Sequence, residues 1–442
     1  MKKALALILA LSLAVSSFAA CGAASSSSSA AASGSTSAPA ETTGDTSVSF
    51  SWWGGDSRHE ATQKAVADYM AANPNVTITT DYGAWSGWED KMSAALYAGT
   101  APDLNQTNWN WLFNYDNSGA TFVDLNDYAD YIDLTQFSDA ALEQCTVNGR
   151  LTGIPIAMTG RIFYWNADTF ASAGVEIPTT FADLMAAGET FKTKLGDDYY
   201  PLVMGEYDRM IFMVYYLECK YGKAWVQDGA MQYTAEEIAE GLQVLKDMEA
   251  AHVIPTIQTL AGDGAESLDK NPKWSEGKYA GILEWDASAS KFSAALNNPD
   301  AFTVGEYFTD IGEYKGGFTK VSSCFAISQS AKDPVAAAKF MNYMLNEEDG
   351  VKALASERGI PCSATALKIC TDEDLLNKTV AEANSKVIDW CSFGIDPTFE
   401  DAGLKSTDGV YYDVMAGVSY GDYSVEDGAK VLMDGVSAVL EG

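Results

Sequence analysis

The sequence predicts an α/β fold built on a mostly parallel sheet with helices on both faces. Two observations lead to this prediction. Between residues 48 and 108, three strand-like runs alternate with two helical segments, which is the β-α-β-α-β order of such sheets. Glycine and proline residues also mark the points where these segments should end. A chain of 442 residues is long enough for two or three domains.

The first unit, residues 48–74, predicts a strand, a glycine turn and a helix. Short polar side chains at Asp56 or Ser57 can cap the start of this helix, and Pro74 cannot continue it. The turn therefore brings two tryptophans and Arg58 to the carboxyl end of a strand. Ligands of open α/β sheets bind at that end.

The second unit continues the alternation. Residues 76–82 alternate apolar and polar side chains, which predicts another strand, and residues 86–99 predict a helix with glycine at its end. A third strand should start near Leu104 and lead into the polar and aromatic run at residues 106–111.

The composition, with 47% hydrophobic and 20% charged residues, is that of an ordinary globular protein. The formal net charge of -33 argues against a nucleic-acid partner, because phosphate binding needs clustered lysine and arginine. The two histidines, His59 and His252, exclude a histidine-rich metal site. No phosphate loop, dinucleotide-binding glycine pattern or calcium loop occurs, so no cofactor or metal is expected.

The first 47 residues predict export and tethering. Residues 1–20 have a basic start, an apolar run and small residues at their end, which is the pattern of a secretory signal. The cysteine that follows makes this segment resemble a bacterial lipoprotein signal, in which Cys21 carries the lipid. Residues 22–47 are rich in serine and alanine and predict a flexible tether. The expected location is extracytoplasmic, at the outer face of the cell membrane. The six later cysteines form no CxxC pair and are expected to be buried free thiols.

Patterns that could support catalysis are few. Residues 417–421 match the G-x-S-x-G pattern of a nucleophile elbow, but no histidine follows them. Glu284 and Asp286 are carboxylates of the kind that glycosidases use, but neighbouring positions on an extended run do not establish a facing pair. We therefore expect no enzymatic activity.

Residues suited to sugar binding are more frequent. The flat faces of pyranose rings stack on aromatic side chains, while hydroxyls need polar groups at fixed positions. The candidate aromatic platforms are Trp52, Trp53, Trp85, Trp109, Trp111, Tyr164, Trp285 and Trp390. Core packing is the alternative for each ring, and clustering in predicted loops at strand ends favours Trp53, Trp109, Trp111 and Trp285.

The five arginines are Arg58, Arg150, Arg161, Arg209 and Arg358. Arginine binds a carboxylate through two parallel hydrogen bonds, which lysine cannot reproduce. In a protein this acidic, local arginines would be needed to attract an anionic ligand. Arg150 lies in an Asn-Gly turn and is expected in solvent. The alternative is that each arginine pairs with one of the 61 acidic residues.

The order of several motifs resembles family 1 of the extracellular solute-binding proteins of ABC importers, the group that includes maltose-binding proteins. The motifs are WWGG at 52–55, NPNVTI at 73–78, WEDKMSAALYAGTAPDL at 88–104, NGRLTGIPI at 148–156, FYWNADTFASAGVEIPTTFADL at 163–184, GKYAGILEWD at 277–286, GGFTKVSSCFAIS at 316–328 and AAAKFMNYMLNEEDGVKALASERGIP at 336–361. Within this family, QTNWNWL at 106–112, GRIFYWN at 160–166, KLGDDYYPLVM at 194–204, SERGIP at 356–361 and YGDYSVEDGAKVL at 420–432 resemble the oligogalacturonide-binding proteins of pectin-utilising bacteria.

The resemblance implies a two-lobed periplasmic-binding-protein-like fold with a hinged cleft between the lobes. Crossings between the lobes are expected near residues 154–158, 281–285 and 322–327. The expected lobes are residues 48–155 with 284–325, and residues 156–283 with 326–442. Apart from Arg150, the arginines fall in or beside segments that the resemblance places around the cleft.

The sequence therefore predicts a monomeric binding lipoprotein that captures an oligosaccharide by hinge closure and delivers it to the transmembrane subunits of an ABC permease. The favoured ligand is acidic and pectin-derived. The expected contacts are Arg58, Arg161 and Arg209 for carboxylates, Asn108 and Asp286 for hydroxyls, and Trp53, Trp85, Trp109, Trp111, Tyr164 and Trp285 for ring faces. The alternatives are a neutral malto- or xylo-oligosaccharide as ligand, an exported carbohydrate-active enzyme, or a structural surface lipoprotein.

Overall fold

The computed structural model describes residues 44–441 except residues 86, 117–118 and 266. The strands in this part of the chain are β1 (Thr46–Trp53), β2 (Val76–Gly83), β3 (Leu104–Asn108), β4 (Thr146–Val147), β5 (Arg150–Leu151), β6 (Ile154–Asn166), β7 (Val226–Gln227), β8 (Ala230–Met231), β9 (Gly281–Trp285), β10 (Phe302–Val304), β11 (Phe318–Ile327) and β12 (Phe393–Gly394).

The α-helices of the same part are α1 (Asp56–Ala72), α2 (Trp88–Tyr97), α3 (Trp109–Asp116), α4 (Asp139–Gln144), α5 (Ala167–Ala173), α6 (Phe181–Leu195), α7 (Glu206–Tyr221), α8 (Ala235–Ala250), α9 (Ile257–Asp263), α10 (Pro272–Ser275), α11 (Ala289–Ala294), α12 (Pro334–Asn346), α13 (Glu348–Leu354), α14 (Ala364–Asp372), α15 (Lys378–Trp390), α16 (Ala402–Lys405), α17 (Val410–Tyr420) and α18 (Val425–Glu441). Short 3-10 helices connect several of them, including one at Pro397–Glu400.

The first five elements form the predicted β-α-β-α-β unit. β1 pairs in parallel with β2 on one side and with β3 on the other. The rest of the sheet differs from the prediction, because β11 runs antiparallel to β3 and β6, and β6 runs antiparallel to β9 and β10. The result is a mixed sheet in the order β10-β6-β11-β3-β1-β2. Strands that cross from one lobe to the other and back run in opposite directions, so they pair antiparallel.

Helix α1 places Arg58 in its first turn. The helix begins at Asp56, but its N-cap is Gly55 and no side chain caps it, in contrast to the predicted polar cap. Asp56 instead puts a negative charge near the positive end of the helix dipole. At the other end, α1 stops at Ala72, two residues before the proline that was expected to end it.

Two large hydrophobic cores correspond to the two lobes. The smaller core, here the first lobe, contains residues of β1, β11 and α12 such as Phe50, Phe325 and Phe340. The larger core, here the second lobe, is built around the aromatic half of β6 and around α7. Strands β6 and β11 contribute to both cores, since Ile154 packs in the first and Phe163 in the second. The crossings expected near residues 154–158 and 322–327 therefore fall on β6 and β11. The crossing expected near residues 281–285 does not occur, because β9 contributes Ile282 and Leu283 to the larger core, as do the residues before and after it.

Two segments lie in the opposite lobe from the one expected. Residues 289–308 pack in the larger core, because β9 and β10 pair with the second half of β6. Residues 326–345 pack in the smaller core, because the second half of β11 pairs with β3 and the chain continues directly into α12. Helix α15 then carries the chain back to the larger core.

The expected signal sequence, Cys21 and most of the tether lie outside the described residues. Thr46 and Ser47, which were expected at the end of the tether, already belong to β1. Within residues 44–441, apart from the gaps given above, no helix is long and apolar enough to cross a membrane. The six cysteines in this range are free thiols, of which Cys362 and Cys391 are half-buried and the other four are buried.

Candidate functional site

A cavity of about 360 Å³ lies where the two lobes meet at the crossing strands. It is lined by Trp53, Arg58, Trp85, Asn108, Thr159, Trp285, Ala287, Ser288, Lys320, Ser322, Ser323, Arg358, Glu400 and Lys405. Trp53 and Asn108 are the last residues of the neighbouring parallel strands β1 and β3. The cavity therefore lies at the carboxyl ends of these strands, which is where ligands bind in open α/β sheets.

Five of the predicted site residues line this cavity: Trp53, Arg58, Trp85, Asn108 and Trp285. The other six do not, and the structure gives a physical reason for each. They are Trp109, Trp111, Arg161, Tyr164, Arg209 and Asp286.

Trp109 and Trp111 begin helix α3 and turn into the first lobe. Trp109 is buried in the smaller core, and its indole N–H donates to the carbonyl of Gln144. Trp111 is fully buried, and its N–H donates to the Glu89 carboxylate at 2.8 Å. The Trp111 ring stacks against Trp85 with ring centres 5.9 Å apart, so it supports a cavity residue from behind.

Tyr164 and Arg209 belong to the second lobe's interior. Tyr164 is fully buried and stacks on Phe302 at 4.8 Å. The Arg209 guanidinium pairs with the Glu249 carboxylate at 2.5 Å and donates to the carbonyl of Pro255 at 2.6 Å. Arg209 is therefore paired with an acidic residue, which was the alternative to a role in binding a ligand carboxylate.

Arg161 lies beneath Trp285, outside the cavity. Its guanidinium carbon is 4.7 Å from the centre of the Trp285 ring, and it pairs with Asp208 at 2.8 Å and Glu284 at 3.2 Å. Burial opposes its charge, but these carboxylates raise the pKa of Arg161, so the cation is fixed. Arg161 thus supports a cavity residue rather than presenting a free guanidinium.

Asp286 follows Trp285 and is also buried. Its carboxylate accepts hydrogen bonds from Thr159, the backbone N–H of Ala287 and, at 2.6 Å, the side-chain amide of Asn384. Burial raises the pKa of Asp286, although these hydrogen bonds act in the opposite direction. All its contacts are internal, so it holds the loop after β9 in place.

A charged group that sequence reasoning missed forms part of the cavity wall: Lys320, Glu400 and Lys405. The Glu400 carboxylate is fully buried and lies 2.6 Å from the Lys320 ammonium and 2.5 Å from that of Lys405. Burial opposes its ionisation, but the two ammonium groups hold the pKa of Glu400 well below its ordinary value. Burial lowers the pKa of Lys320 to about 8. Lys320 lies 80 residues before Glu400 in the chain, so no local motif signals the group.

Arg58 and Arg358 are the two arginines on the cavity. Arg58 donates to the carbonyls of Glu357 at 2.9 Å and Trp53 at 3.2 Å. Arg358 is buried and donates to the side chains of Gln106 and Thr62, and one of its terminal nitrogens has no hydrogen-bond partner among the described residues.

These two arginines differ from the other three in their charge partners. Arg150, Arg161 and Arg209 each contact a carboxylate oxygen at 2.8 Å or less. Within the part of the chain described, Arg58 and Arg358 have no carboxylate within the 4.0 Å of an ion pair. Burial lowers the pKa of both, and the charge of Arg58 lowers that of Arg358 further. The nearby Glu357 carboxylate offsets part of this effect but is hydrogen-bonded to Ser57.

The cavity wall therefore carries four cations and one carboxylate in a protein whose formal net charge is -33. Buried charges are costly unless they are paired, so two unpaired guanidinium groups at one cavity favour an anionic partner. The indole rings of Trp53, Trp85 and Trp285 add flat apolar faces beside these cations.

The G-x-S-x-G pattern does not form a nucleophile elbow. Ser419 lies within helix α17, where its hydroxyl donates to Glu249 and accepts from the backbone N–H of Ile257. A true elbow would place the serine on a turn between a strand and a helix. Glu284 is paired with Arg161 at 3.2 Å, and Asp286 is hydrogen-bonded to Thr159 and Asn384, so both carboxylates have internal partners.

Two α/β lobes joined by crossing strands, with a polar and aromatic cavity where they meet, define a two-lobed binding protein of the periplasmic type. The chain belongs to the bacterial extracellular solute-binding protein family, whose family model matches residues 64–390. This confirms the family that the motif order suggested.

Solved structures extend the comparison. The chain is 32% identical to a periplasmic oligogalacturonide binding protein from Yersinia enterocolitica in complex with saturated digalacturonic acid, with a TM-score of 0.82 over 89% of this chain and 98% of that one. It is 31% identical to a periplasmic solute binding protein from Pectobacterium atrosepticum, with a TM-score of 0.84 over the same shares. The resemblance to the oligogalacturonide-binding branch is thus confirmed at the level of the whole fold.

Sequence relatives give a shorter match. A binding protein of Brucella abortus is 25% identical over 208 residues, which are 46% of this chain and 50% of that protein. The chain therefore spans about half the length of the curated relatives that it matches.

Proposed function

We propose that this protein is the substrate-binding component of a carbohydrate ABC importer and that its ligand is an acidic oligosaccharide of the oligogalacturonide type. One observation carries the choice of an acidic ligand: Arg58 and Arg358 line the cavity without a carboxylate partner among the residues that the structure describes, whereas the other three arginines are paired. A sugar carboxylate would supply the missing anion. The digalacturonic acid bound by the relative from Yersinia enterocolitica supports this choice.

The proposed binding mode uses both the cations and the aromatic rings of the cavity wall. Arg58, together with Lys320, Lys405 and Arg358 of the same cavity wall, attracts and holds carboxylates, since charge-assisted hydrogen bonds to guanidinium groups are strong and directional. Trp53, Trp85 and Trp285 lie against the flat faces of the sugar rings. Asn108 and the serines of β11 hydrogen-bond to hydroxyls. Of the six residues away from the cavity, Arg161 and Trp111 act by supporting Trp285 and Trp85.

Capture requires no covalent step. A ligand that contacts both lobes stabilises a closed arrangement by its greater affinity for that arrangement. The closed form would then dock on the transmembrane subunits of the permease. In the same proposal, a lipid on Cys21 and the segment up to residue 45 keep the monomer at the outer face of the cell membrane.

Calorimetric titration with digalacturonate, maltotriose and xylotriose tests the ligand class. Two charge-assisted contacts of about 1.5 kcal/mol each predict that digalacturonate binds on the order of 100-fold more tightly than either neutral sugar. Preferential binding of a neutral sugar would overturn the acidic-ligand proposal while leaving the binding-protein class in place. Appearance of new reducing ends or unsaturated products from digalacturonate would instead indicate an enzyme.

A further inference from the structure

A row of aromatic side chains in mutual contact leads from the cavity to the surface of the first lobe. We call it the aromatic strip, and it consists of Trp53, Trp85, Trp111, Tyr115 and Tyr97. Successive ring centres are 5.1 Å apart for Trp53 and Trp85, 5.9 Å for Trp85 and Trp111, 6.3 Å for Trp111 and Tyr115, and 5.4 Å for Tyr115 and Tyr97. Trp53 also touches Trp111 at 5.6 Å, so the strip has no break at the cavity rim.

The strip combines exposed rings with a rigid support. Trp85 is 44% exposed and Tyr97 is 76% exposed, which is unusual for large aromatic side chains. Trp111, which stacks against Trp85, is fully buried and is fixed by its hydrogen bond to Glu89, while Tyr97 packs edge-on against Tyr115. Exposed aromatic rings on a fixed base are suited to contact with flat apolar faces.

The charges around the strip have the opposite sign to those of the cavity. Glu89 lies against Trp111, and the exposed Asp90 follows it on α2, the helix that ends at Tyr97. Burial raises the pKa of the Tyr115 hydroxyl, and the charges of Glu89 and Asp90 raise it further. The nearby cation Lys91 is already paired with Asp81 at 2.6 Å. The charged side chains therefore change from cations at the cavity to carboxylates beside the aromatic strip.

We propose that the aromatic strip binds an uncharged part of the same oligosaccharide whose acidic part occupies the cavity. The ligand class is then a partly neutral oligosaccharide acid, for example an oligogalacturonide in which some carboxyl groups are methyl esters. This inference rests on the proposed function and adds the chemistry of the residues outside the cavity. Ionised sugar residues on the strip would face Glu89 and Asp90, whereas esterified residues keep the stacking contact without the repulsion.

The test compares three ligands by calorimetry: digalacturonate, fully ionised tetragalacturonate, and tetragalacturonate with two adjacent residues methyl-esterified. The wild-type protein should bind the half-esterified tetramer about tenfold more tightly than the dimer, because two further rings contact the strip. It should bind the fully ionised tetramer no more tightly than the dimer.

Three variants test whether the added affinity for the half-esterified tetramer comes from the aromatic strip. Tyr97→Ala should weaken binding of the half-esterified tetramer by about threefold to tenfold and leave digalacturonate binding unchanged. Tyr420→Ala, which removes an exposed tyrosine of the second lobe, should change neither affinity. Asp90→Asn should tighten binding of the fully ionised tetramer only.

The outcomes separate the two proposals. If wild-type protein does not bind digalacturonate at all, the proposed function fails. If it binds digalacturonate but Tyr97→Ala leaves every affinity unchanged, the strip plays no part in binding and the further inference is overturned. A fully ionised tetramer that binds more tightly than the half-esterified one would also overturn it.

Discussion

Arg58 provides the most direct test of the carboxylate site. Its guanidinium is held by the carbonyls of Glu357 at 2.9 Å and Trp53 at 3.2 Å, and the aliphatic part of its side chain packs over Gly54. The group is therefore fixed in the cavity wall before ligand arrives, and little conformational freedom is lost when it binds a carboxylate. Replacing Arg58 with glutamine removes the charge and keeps a polar side chain of moderate length.

The expected size of the effect follows from the contact that is lost. A hydrogen bond to a charged group contributes about 1.5 to 3 kcal/mol, so Arg58→Gln should weaken digalacturonate binding by about 10- to 150-fold. Arg58→Lys retains the charge but cannot form two parallel hydrogen bonds to a carboxylate. Its affinity for digalacturonate should therefore lie between those of Arg58→Gln and the wild type. Any residual binding of xylotriose should be unaffected by either substitution.

Titration by calorimetry, with tryptophan fluorescence as a second signal from Trp53 and Trp85, measures these affinities. Arg150→Gln is the matched control, because it removes an arginine that is paired with Asp116 away from the cavity. Thermal denaturation shows whether each variant is folded. A folded Arg58→Gln protein with digalacturonate affinity within twofold of the wild type would refute the reasoning.

Three further predictions concern the buried charges. Because burial lowers the pKa of Lys320 to about 8, digalacturonate affinity should fall as pH rises from 7 to 9, and calorimetry of Lys320→Met should show no such fall. Burial raises the pKa of Glu218 to about 8, so the folded state loses stability as pH rises from the ordinary glutamate value of 4.5 through 8. Glu218→Gln should therefore raise the free energy of unfolding at pH 8 by about 2 kcal/mol and change it little at pH 4, as measured by urea denaturation; equal effects at both values would contradict this. Arg358→Met removes a buried cation that has no carboxylate partner among the described residues, so the unliganded variant should be at least as stable as the wild type in thermal denaturation. Calorimetry should show that its affinity for digalacturonate is reduced by about tenfold or more. A clear loss of stability would count against the unpaired-charge argument.

Local patterns in the sequence were enough to predict the elements that form the cavity rim. The strand, glycine turn and helix around Trp53 and Arg58 are specified by neighbouring residues, so their placement could be predicted without tertiary information. The family resemblance similarly located the crossings on β6 and β11, but it also placed one on β9, which packs in the larger core only. The resemblance did not predict the direction in which β11 leaves the crossing. That direction decides which lobe contains the residues that follow β11.

Side-chain environment was harder to predict than backbone position. Trp109 and Trp111 follow the end of β3 beside the cavity, but α3 begins at Trp109 and turns both indoles into the first lobe. Arg209 could not be distinguished from Arg58 by sequence, because its partner Glu249 is 40 residues away. Lys320 and Glu400 were missed for the same reason: lysine and glutamate are common surface residues, and only tertiary structure brings these two together in a buried wall.

The two long strands β6 and β11 join the lobes by paired backbone rather than by flexible linkers. Thirteen residues of β6 and ten of β11 run through both cores, and they hydrogen-bond to each other at the crossing. Unfolding one lobe would therefore expose the strand edges on which the other depends. The two lobes should melt together in a single cooperative transition, and a ligand that binds at the cavity should raise the melting temperature of the whole body rather than that of one half.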